Sequence, residues 1–167
     1  LDGDYLGYTL AFGIDPLRER LSQHYQDFYN LSVPAQRIAI TTGSSCGFIL
    51  AFLSAFDPGD RVALANPGYP AYRNILKALG VEPVGIPVGP RSNFQPTPEM
   101  LDAIEGKLNG LIVASPSNPT GTMIMHDEMK ALVEYCEERG IRLISDEIYH
   151  GITYDRAACS AMEFPDE

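Results

Sequence analysis

Short apolar segments alternating with amphipathic ones predict an α/β fold for this chain: three layers, with helices on both sides of a mostly parallel sheet. Three observations carry the prediction. Arg61-Val62-Ala63-Leu64-Ala65, Leu111-Ile112-Val113-Ala114 and Ile141-Arg142-Leu143-Ile144 are short, nearly continuous apolar runs, the pattern of strands buried on both faces. Between them lie segments with apolar residues every three to four positions, which read as helices. Each run also ends in a polar, proline-bearing or acidic segment, and parallel sheets bind ligands beyond the carboxyl ends of their strands.

The 167 residues suffice for one domain with a sizeable core and are too few for two ordinary ones. A hydrophobic fraction of 45% with 20% charged residues is that of a globular protein, which excludes a disordered or fibrous chain. The formal net charge of -10, with twelve scattered basic residues, argues against nucleic acid or an anionic membrane as partner. No apolar run reaches the length of a bilayer span. The acidic start, Leu1-Asp2-Gly3-Asp4, lacks a Met and reads as a beginning in mid-sequence. Cys46, Cys136 and Cys159 are odd in number, unpaired in spacing and without a His at metal-ligand intervals. They are expected to be reduced core thiols in a cytoplasmic protein, with no metal site.

Taken in order, Leu17, Leu21, Tyr25 and Phe28 mark an amphipathic helix opening at Asp15-Pro16, and Pro16 suits its first turn. Arg37 to Thr41 reads as a short β-branched strand. Thr42-Gly43-Ser44-Ser45-Cys46-Gly47 then leads into Phe48 to Phe56, a helix apolar on most faces and therefore internal. After the turn Asp57-Pro58-Gly59-Asp60 comes the strand Arg61 to Ala65, which ends in Asn66-Pro67-Gly68-Tyr69-Pro70. A helix from Ala71 to Leu79 closes at Gly80. Val81 to Val88, interrupted by two prolines, predicts a strand near a sheet edge. Thr97-Pro98-Glu99 starts a helix expected to run to about Lys107. The strand Leu111 to Ala114 is followed by Ser115-Pro116-Ser117-Asn118-Pro119-Thr120-Gly121, a helix from Asp127 to Arg139 and the strand Ile141 to Ile144.

That last strand delivers Asp146 to the rim. A carboxylate at the end of a buried strand is costly unless a cation meets it, and the proposed counter-ion is the protonated ring nitrogen of pyridoxal phosphate. Tyr149 stands within reach of that ring's hydroxyl oxygen; the competing use of Asp146 is to cap a nearby turn. Gly43, Ser44 and Ser45 precede a helix, where backbone N–H groups and two hydroxyls suit a phosphate, although the same residues make an ordinary helix cap. They form neither a Gly-x-Gly-x-x-Gly loop nor a Walker loop, which disfavours a dinucleotide or nucleoside triphosphate. Tyr69 offers a ring to a flat heteroaromatic or serves as a turn tyrosine. Asn118, held extended by Pro119, either projects its amide from the strand end or bonds its own backbone. Glu147 is read as a structural or solvated carboxylate.

The segments Tyr8-x-x-x-x-Gly13-x-x-x-Leu17-Arg18, Thr42-Gly43-Ser44, Asn66-Pro67-Gly68-Tyr69-Pro70-Ala71-Tyr72, Ser115 to Gly121 and Ser145-Asp146-Glu147-Ile148-Tyr149 resemble the class I/II aminotransferases, fold-type I pyridoxal-phosphate enzymes related to aspartate aminotransferase. The resemblance runs through nearly the whole chain in the family's order. It implies that Ser44 and Ser45 hold the cofactor phosphate, Tyr69 stacks on the ring, Asn118 and Tyr149 bond the phenolic oxygen and Asp146 pairs with the ring nitrogen. It also implies that Tyr8 reaches the phosphate of the partner subunit in a homodimer, and that the substrates are an amino acid and a 2-oxo acid.

The family's Schiff-base lysine follows the Asp-Glu-x-Tyr segment, and here Lys77, Lys107 and Lys130 all sit among polar helical positions. The expectation is that residues 1–167 form part of the cofactor-binding large domain, without the N-terminal segment, the lysine segment and the small C-terminal domain, and do not transaminate alone. Two functional readings stand beside it, with a third in which the rim of the α/β domain binds nothing. Carbon–sulfur lyases and aminocyclopropane-carboxylate synthases look similar through these segments, and a non-enzymatic regulator is similar in its cofactor-sensing domain.

Overall fold

The computed structural model describes residues 7, 8 and 10–164, which fall into two compact units, 1–47 and 48–167. The first carries helix α1, Asp15–Tyr29, with proline in its first turn as expected. Asn30 ends the helix in the left-handed conformation, its N–H bonded to the Gln26 carbonyl. Arg18, partly buried, fastens α1 to the following loop: its guanidinium donates to the carbonyls of Ala35 (2.8 Å) and Ile38 (3.0 Å) and meets Asp15 at 3.0 Å.

The strand expected at Arg37 to Thr41 does not form. Ala35–Arg37 is a three-ten turn, closed by bonds from Arg37 N–H to Pro34 and Ile38 N–H to Ala35, and residues 38–41 have no ladder partner among the described residues. A strand is defined by its neighbour as much as by its own propensity, and here the backbone groups go to Arg18 and to a single bond from Ile40 N–H to the Phe12 carbonyl. Helix α2, Ser44–Ala55, starts at the end of this unit and continues into the second.

The second unit holds a four-stranded parallel sheet: β1, Arg61–Asn66; β2, Glu82–Pro87; β3, Gly110–Ala114; and β4, Arg142–Asp146. The spatial order is β2-β1-β3-β4 with every pair parallel, as the apolar runs predicted, and β2 lies at an edge. Alternation along the strands divides the core. Val62, Leu64 and Ile112 pack with Phe48, Phe52, Phe56, Tyr72 and Leu76, from α2 and helix α3, Pro70–Ala78. Ala63, Leu111 and Val113 point the other way, against Leu101, Met129, Leu132 and Cys136 from helices α4, Pro98–Asp102, and α5, His126–Arg139. Helices therefore cover both faces, and the fold is the three-layer α/β arrangement.

Helix α4 is five residues long and stops at Asp102, short of the predicted Lys107. The cause is tertiary. Arg61, at the start of β1, takes the carbonyls of Glu105 (2.8 Å) and Lys107 (3.2 Å), and Gly106 turns left-handed at φ +84 between them. Carbonyls committed to a guanidinium are not available to a further helical turn. Tyr135 ties α4 to α5, donating its hydroxyl to Asp102 at 2.8 Å beneath the Arg139 guanidinium. Helix α5 ends at Gly140, left-handed at φ +63, as its sequence indicates.

Candidate active site

Parallel strands in near register finish together, so β1, β3 and β4 carry their loops to one side of the sheet: Ala114 lies opposite Asp146 and Leu64 opposite Ile112. From β1 the chain crosses outward to β2, and then returns past β1 to β3. The order thus reverses between β1 and β3, which opens a crevice at their carboxyl ends. Leu64, Ala65, Gly68 and Tyr69 line it from one side and Ile112, Ala114, Ser117 and Asn118 from the other, with Tyr72 and Gln95 beside them. Gly68 admits this geometry because a Cβ there would collide with the Ala65 carbonyl oxygen.

Asp146 ends β4 half-buried beside this crevice. Its Oδ2 accepts from the Tyr72 hydroxyl and its Oδ1 from the Ile148 N–H at 3.2 Å, so the turn-capping use is real and occupies one oxygen. Among the described residues no Lys, Arg or His pairs with it. Tyr72 is the hub of the cluster and was not singled out from the sequence. It is buried, packs edge-on against Tyr69 at 5.3 Å and Phe48 at 5.0 Å, and lies near Tyr149. Burial first, then the Asp146 carboxylate, push its hydroxyl well above the usual phenol range, so it remains a proton donor to Asp146. The signal available in the sequence was its place on α3, three positions after Tyr69 and on the same face.

Asn118 and Tyr149 border a common cavity of about 490 Å³ with Met123, Ile152, Thr153 and Arg156. The Asn118 amide makes no bond to its own backbone, so the turn reading of that residue is not realised. Its loop is pinned from below. The buried Ser115 hydroxyl accepts from Ile124 N–H at 2.9 Å, and the buried Gln95 amide donates to the carbonyls of Ala114 (3.1 Å) and Thr122 (2.9 Å). Gln95 and Ser115 are positioning residues that sequence reasoning missed, since nothing in a local pattern places Gln95 under a loop twenty residues away. Glu147 has the structural role expected of it: Ser145 and Ser160 hydroxyls and the Ala161 N–H all donate to it, at 2.8 to 2.9 Å.

Gly43, Ser44, Ser45 and Tyr8 belong to the first unit. Gly43 adopts φ +87 and spends its own N–H on Thr41 within the turn, while Ser44 and Ser45 form the first positions of α2, exposed and without hydroxyl partners among the described residues. A twelve-residue helix directs its free N–H groups and partial positive charge at this end. Tyr8 is fully exposed. Lys77, Lys107 and Lys130 are exposed as expected, and Lys130 pairs with Glu134 on the surface of α5. The three cysteines are free, with Cys136 and Cys159 buried and Cys46 partly so. Among the described residues no helix is long and apolar enough to cross a membrane.

Comparison with known proteins agrees with this geometry. Residues 1–165 match the family described as aminotransferase class I and II. The chain is 54% identical over 152 residues to the valine–pyruvate aminotransferase of Mycobacterium tuberculosis, covering 91% of this chain and 39% of that protein. It is 34% identical over 173 residues to the aspartate aminotransferase of Sulfurisphaera tokodaii, covering 99% and 42%. Among solved structures, an aminotransferase from Mycobacterium tuberculosis superposes with a TM-score of 0.92 at 51% identity, over 96% of this chain and 44% of the other. The aspartate aminotransferase from Thermus thermophilus with maleate does so at 0.87 and 31%, over 93% and 41%. The chain thus spans about two fifths of the length of these relatives. With its parallel sheet, the crevice at the strand ends and the match through residue 165, this chain belongs to the class I and II aminotransferase family.

Proposed function

We propose that residues 1–167 are the cofactor-binding part of a pyridoxal-phosphate-dependent aminotransferase, which moves an amino group between an amino acid and a 2-oxo acid. The observation that carries this reading is Asp146: a half-buried carboxylate at the end of β4, bonded by the hydroxyl of the crevice-lining Tyr72 and by a backbone N–H yet paired with no cation among the described residues. A pyridinium N–H supplies the missing positive charge, so the residues present fit the cofactor.

In this proposal Ser44 and Ser45, with the backbone at the start of α2, take the phosphate. Tyr69 stacks on the ring, Asn118 and Tyr149 donate to the phenolic oxygen, and Asp146 holds the ring nitrogen protonated. When bound, the cofactor supplies an electron-withdrawing pyridinium ring and a carbonyl that carries the amino group between substrates. Gly43 shapes the turn ahead of Ser44, and Tyr8 reaches the partner's phosphate in a homodimer. The chain is part of a larger cofactor-binding domain, and its free thiols suit a cytoplasmic location.

The 54% identical relative makes valine and pyruvate the first substrate pair to try. The test is to supply the full-length protein with pyridoxal phosphate, an amino acid and a 2-oxo acid, and to analyse products. Transfer of the amino group supports the proposal. Release of a thiol or formation of a cyclopropane product assigns a different reaction, and cofactor binding without turnover assigns a sensing role.

Tyr72→Phe tests the positioning of Asp146. The variant removes the hydroxyl donor while keeping the ring between Phe48 and Tyr69. A hydrogen bond to a carboxylate contributes about 1.5–3 kcal/mol, so if that energy serves to hold Asp146 toward the cofactor, retention in the full-length protein is expected to weaken about tenfold to a hundredfold. Unchanged retention shows that Asp146 is oriented without Tyr72.

A further inference from the structure

His126 and Cys159 lie thirty-three residues apart, a spacing that offers no metal motif, yet the fold brings them together with Glu163. One ligand atom from each lies within 4.8 Å of the other two, and His126 Nε2 stands 3.9 Å from Glu163 Oε2. We propose that His126 Nε2, Cys159 Sγ and Glu163 Oε2 form a binding site for a divalent ion of the zinc type, joining the start of α5 to the three-ten turn Ala161–Glu163.

The donor set selects the class of ion. Nitrogen, sulfur and one carboxylate oxygen suit zinc and its soft or borderline neighbours, whereas magnesium and calcium require oxygens. In a tetrahedral site with metal–ligand bonds of about 2.0–2.3 Å the ligand atoms sit roughly 3.3–3.8 Å apart. The cluster therefore closes on an ion by about 1 Å, a shift within the freedom of the exposed His126 side chain.

The surroundings already orient each ligand. His126 Nδ1 faces Asp127 Oδ1 at 3.4 Å, and its ring leans on Phe164 at 4.9 Å, which leaves Nε2 aimed at the cluster. A carboxylate behind a ligating imidazole fixes its tautomer in this way. Glu163 gives Oε1 to the Ser160 N–H at 2.8 Å and so presents Oε2. Ser160 and Ala161 are themselves bound to Glu147, which fixes the turn that carries Cys159 and Glu163. Cys159 is buried, its thiol donating to the Ser160 carbonyl at 3.6 Å. Binding the ion releases that proton to solvent, and the thiolate becomes the ligand. Three protein ligands leave a fourth position for water.

The test titrates the metal-free full-length protein with Zn²⁺ alone against a chromophoric chelator, and with Co²⁺ to read the thiolate-to-cobalt charge-transfer band. One tight equivalent is expected, with affinity falling at least tenfold in His126→Gln and in Glu163→Gln, and with the band lost in Cys159→Ser and kept in Cys46→Ser. His126 is exposed, so its replacement probes the site without touching the core. Affinity unchanged in His126→Gln, absence of a tight equivalent, or a band that survives Cys159→Ser or vanishes in Cys46→Ser overturns the proposal.

Discussion

Replacing Asp146 with alanine in the full-length protein is expected to weaken retention of pyridoxal phosphate at least a hundredfold and to reduce amino transfer to near background. The side chain ends β4, opposite Ala114 at the start of the Asn118 loop, and is bonded by Tyr72, which lines the crevice between β1 and β3. Removing one partner of a buried charge pair costs about 3–5 kcal/mol, and each 1.4 kcal/mol is tenfold in affinity. The substitution also strands the buried Tyr72 hydroxyl, whose raised proton affinity reflects burial and that same carboxylate. Retention by equilibrium dialysis separates the two consequences: Tyr72→Phe loses the donor and keeps the charge, whereas Asp146→Ala loses the charge. Normal turnover in Asp146→Ala removes the residue from the mechanism.

Phe52→Ala is expected to be the most damaging of the core truncations on the α2 side of the sheet. Phe52 is 0% exposed, lies between Phe48 on α2 and Phe56 just beyond its end, and packs with the sheet residues Val62, Leu64 and Ile112. Truncating a buried phenylalanine costs about 3–5 kcal/mol through lost transfer energy and the cavity left behind. For a protein of several hundred residues that corresponds to roughly 5 °C in Tm. Because Ser44 and Ser45 open the same helix, cofactor retention is expected to fall with stability. Phe52→Leu, which keeps most of the volume, is expected to lose less than half as much. Thermal unfolding of the full-length apo protein decides it, and a loss below about 1 kcal/mol for Phe52→Ala contradicts the packing described here.

The parts of the fold legible in the sequence are those in which local pattern and tertiary environment agree. The runs at Val62 and Leu111 became parallel strands because continuous apolarity matches burial on two faces, the run at Leu143 pairs in parallel as well but is only partly buried at the edge of the described sheet, and Gly80 and Gly140 ended their helices where a left-handed residue was needed. One miss is α2, expected to be internal yet exposing Ile49, Leu50 and Leu53; two others occur where a distant side chain overrides the local preference. Arg61 claims the carbonyls that would have extended α4 to Lys107, and Arg18 claims those of Ala35 and Ile38, so the β-branched Ile38 and Ile40 stay extended without a ladder. The candidate site divides in the same way. Tyr69, Asn118, Asp146 and Tyr149 were readable because they follow strand ends, the one place where topology alone predicts convergence. Tyr72 and Gln95 support them from a helix and a loop, and the His126, Cys159 and Glu163 cluster depends on a chain return that no spacing announces.

The proposed partner of Asp146 is a pyridinium. The most direct measurement is the ¹⁵N chemical shift of ring-labelled pyridoxal phosphate bound to the full-length protein, compared between the wild type and Asp146→Asn. A protonated ring nitrogen in the wild type that moves to the neutral range in Asp146→Asn is the predicted result. A neutral nitrogen in the wild type, or the same shift in both proteins, contradicts the claim.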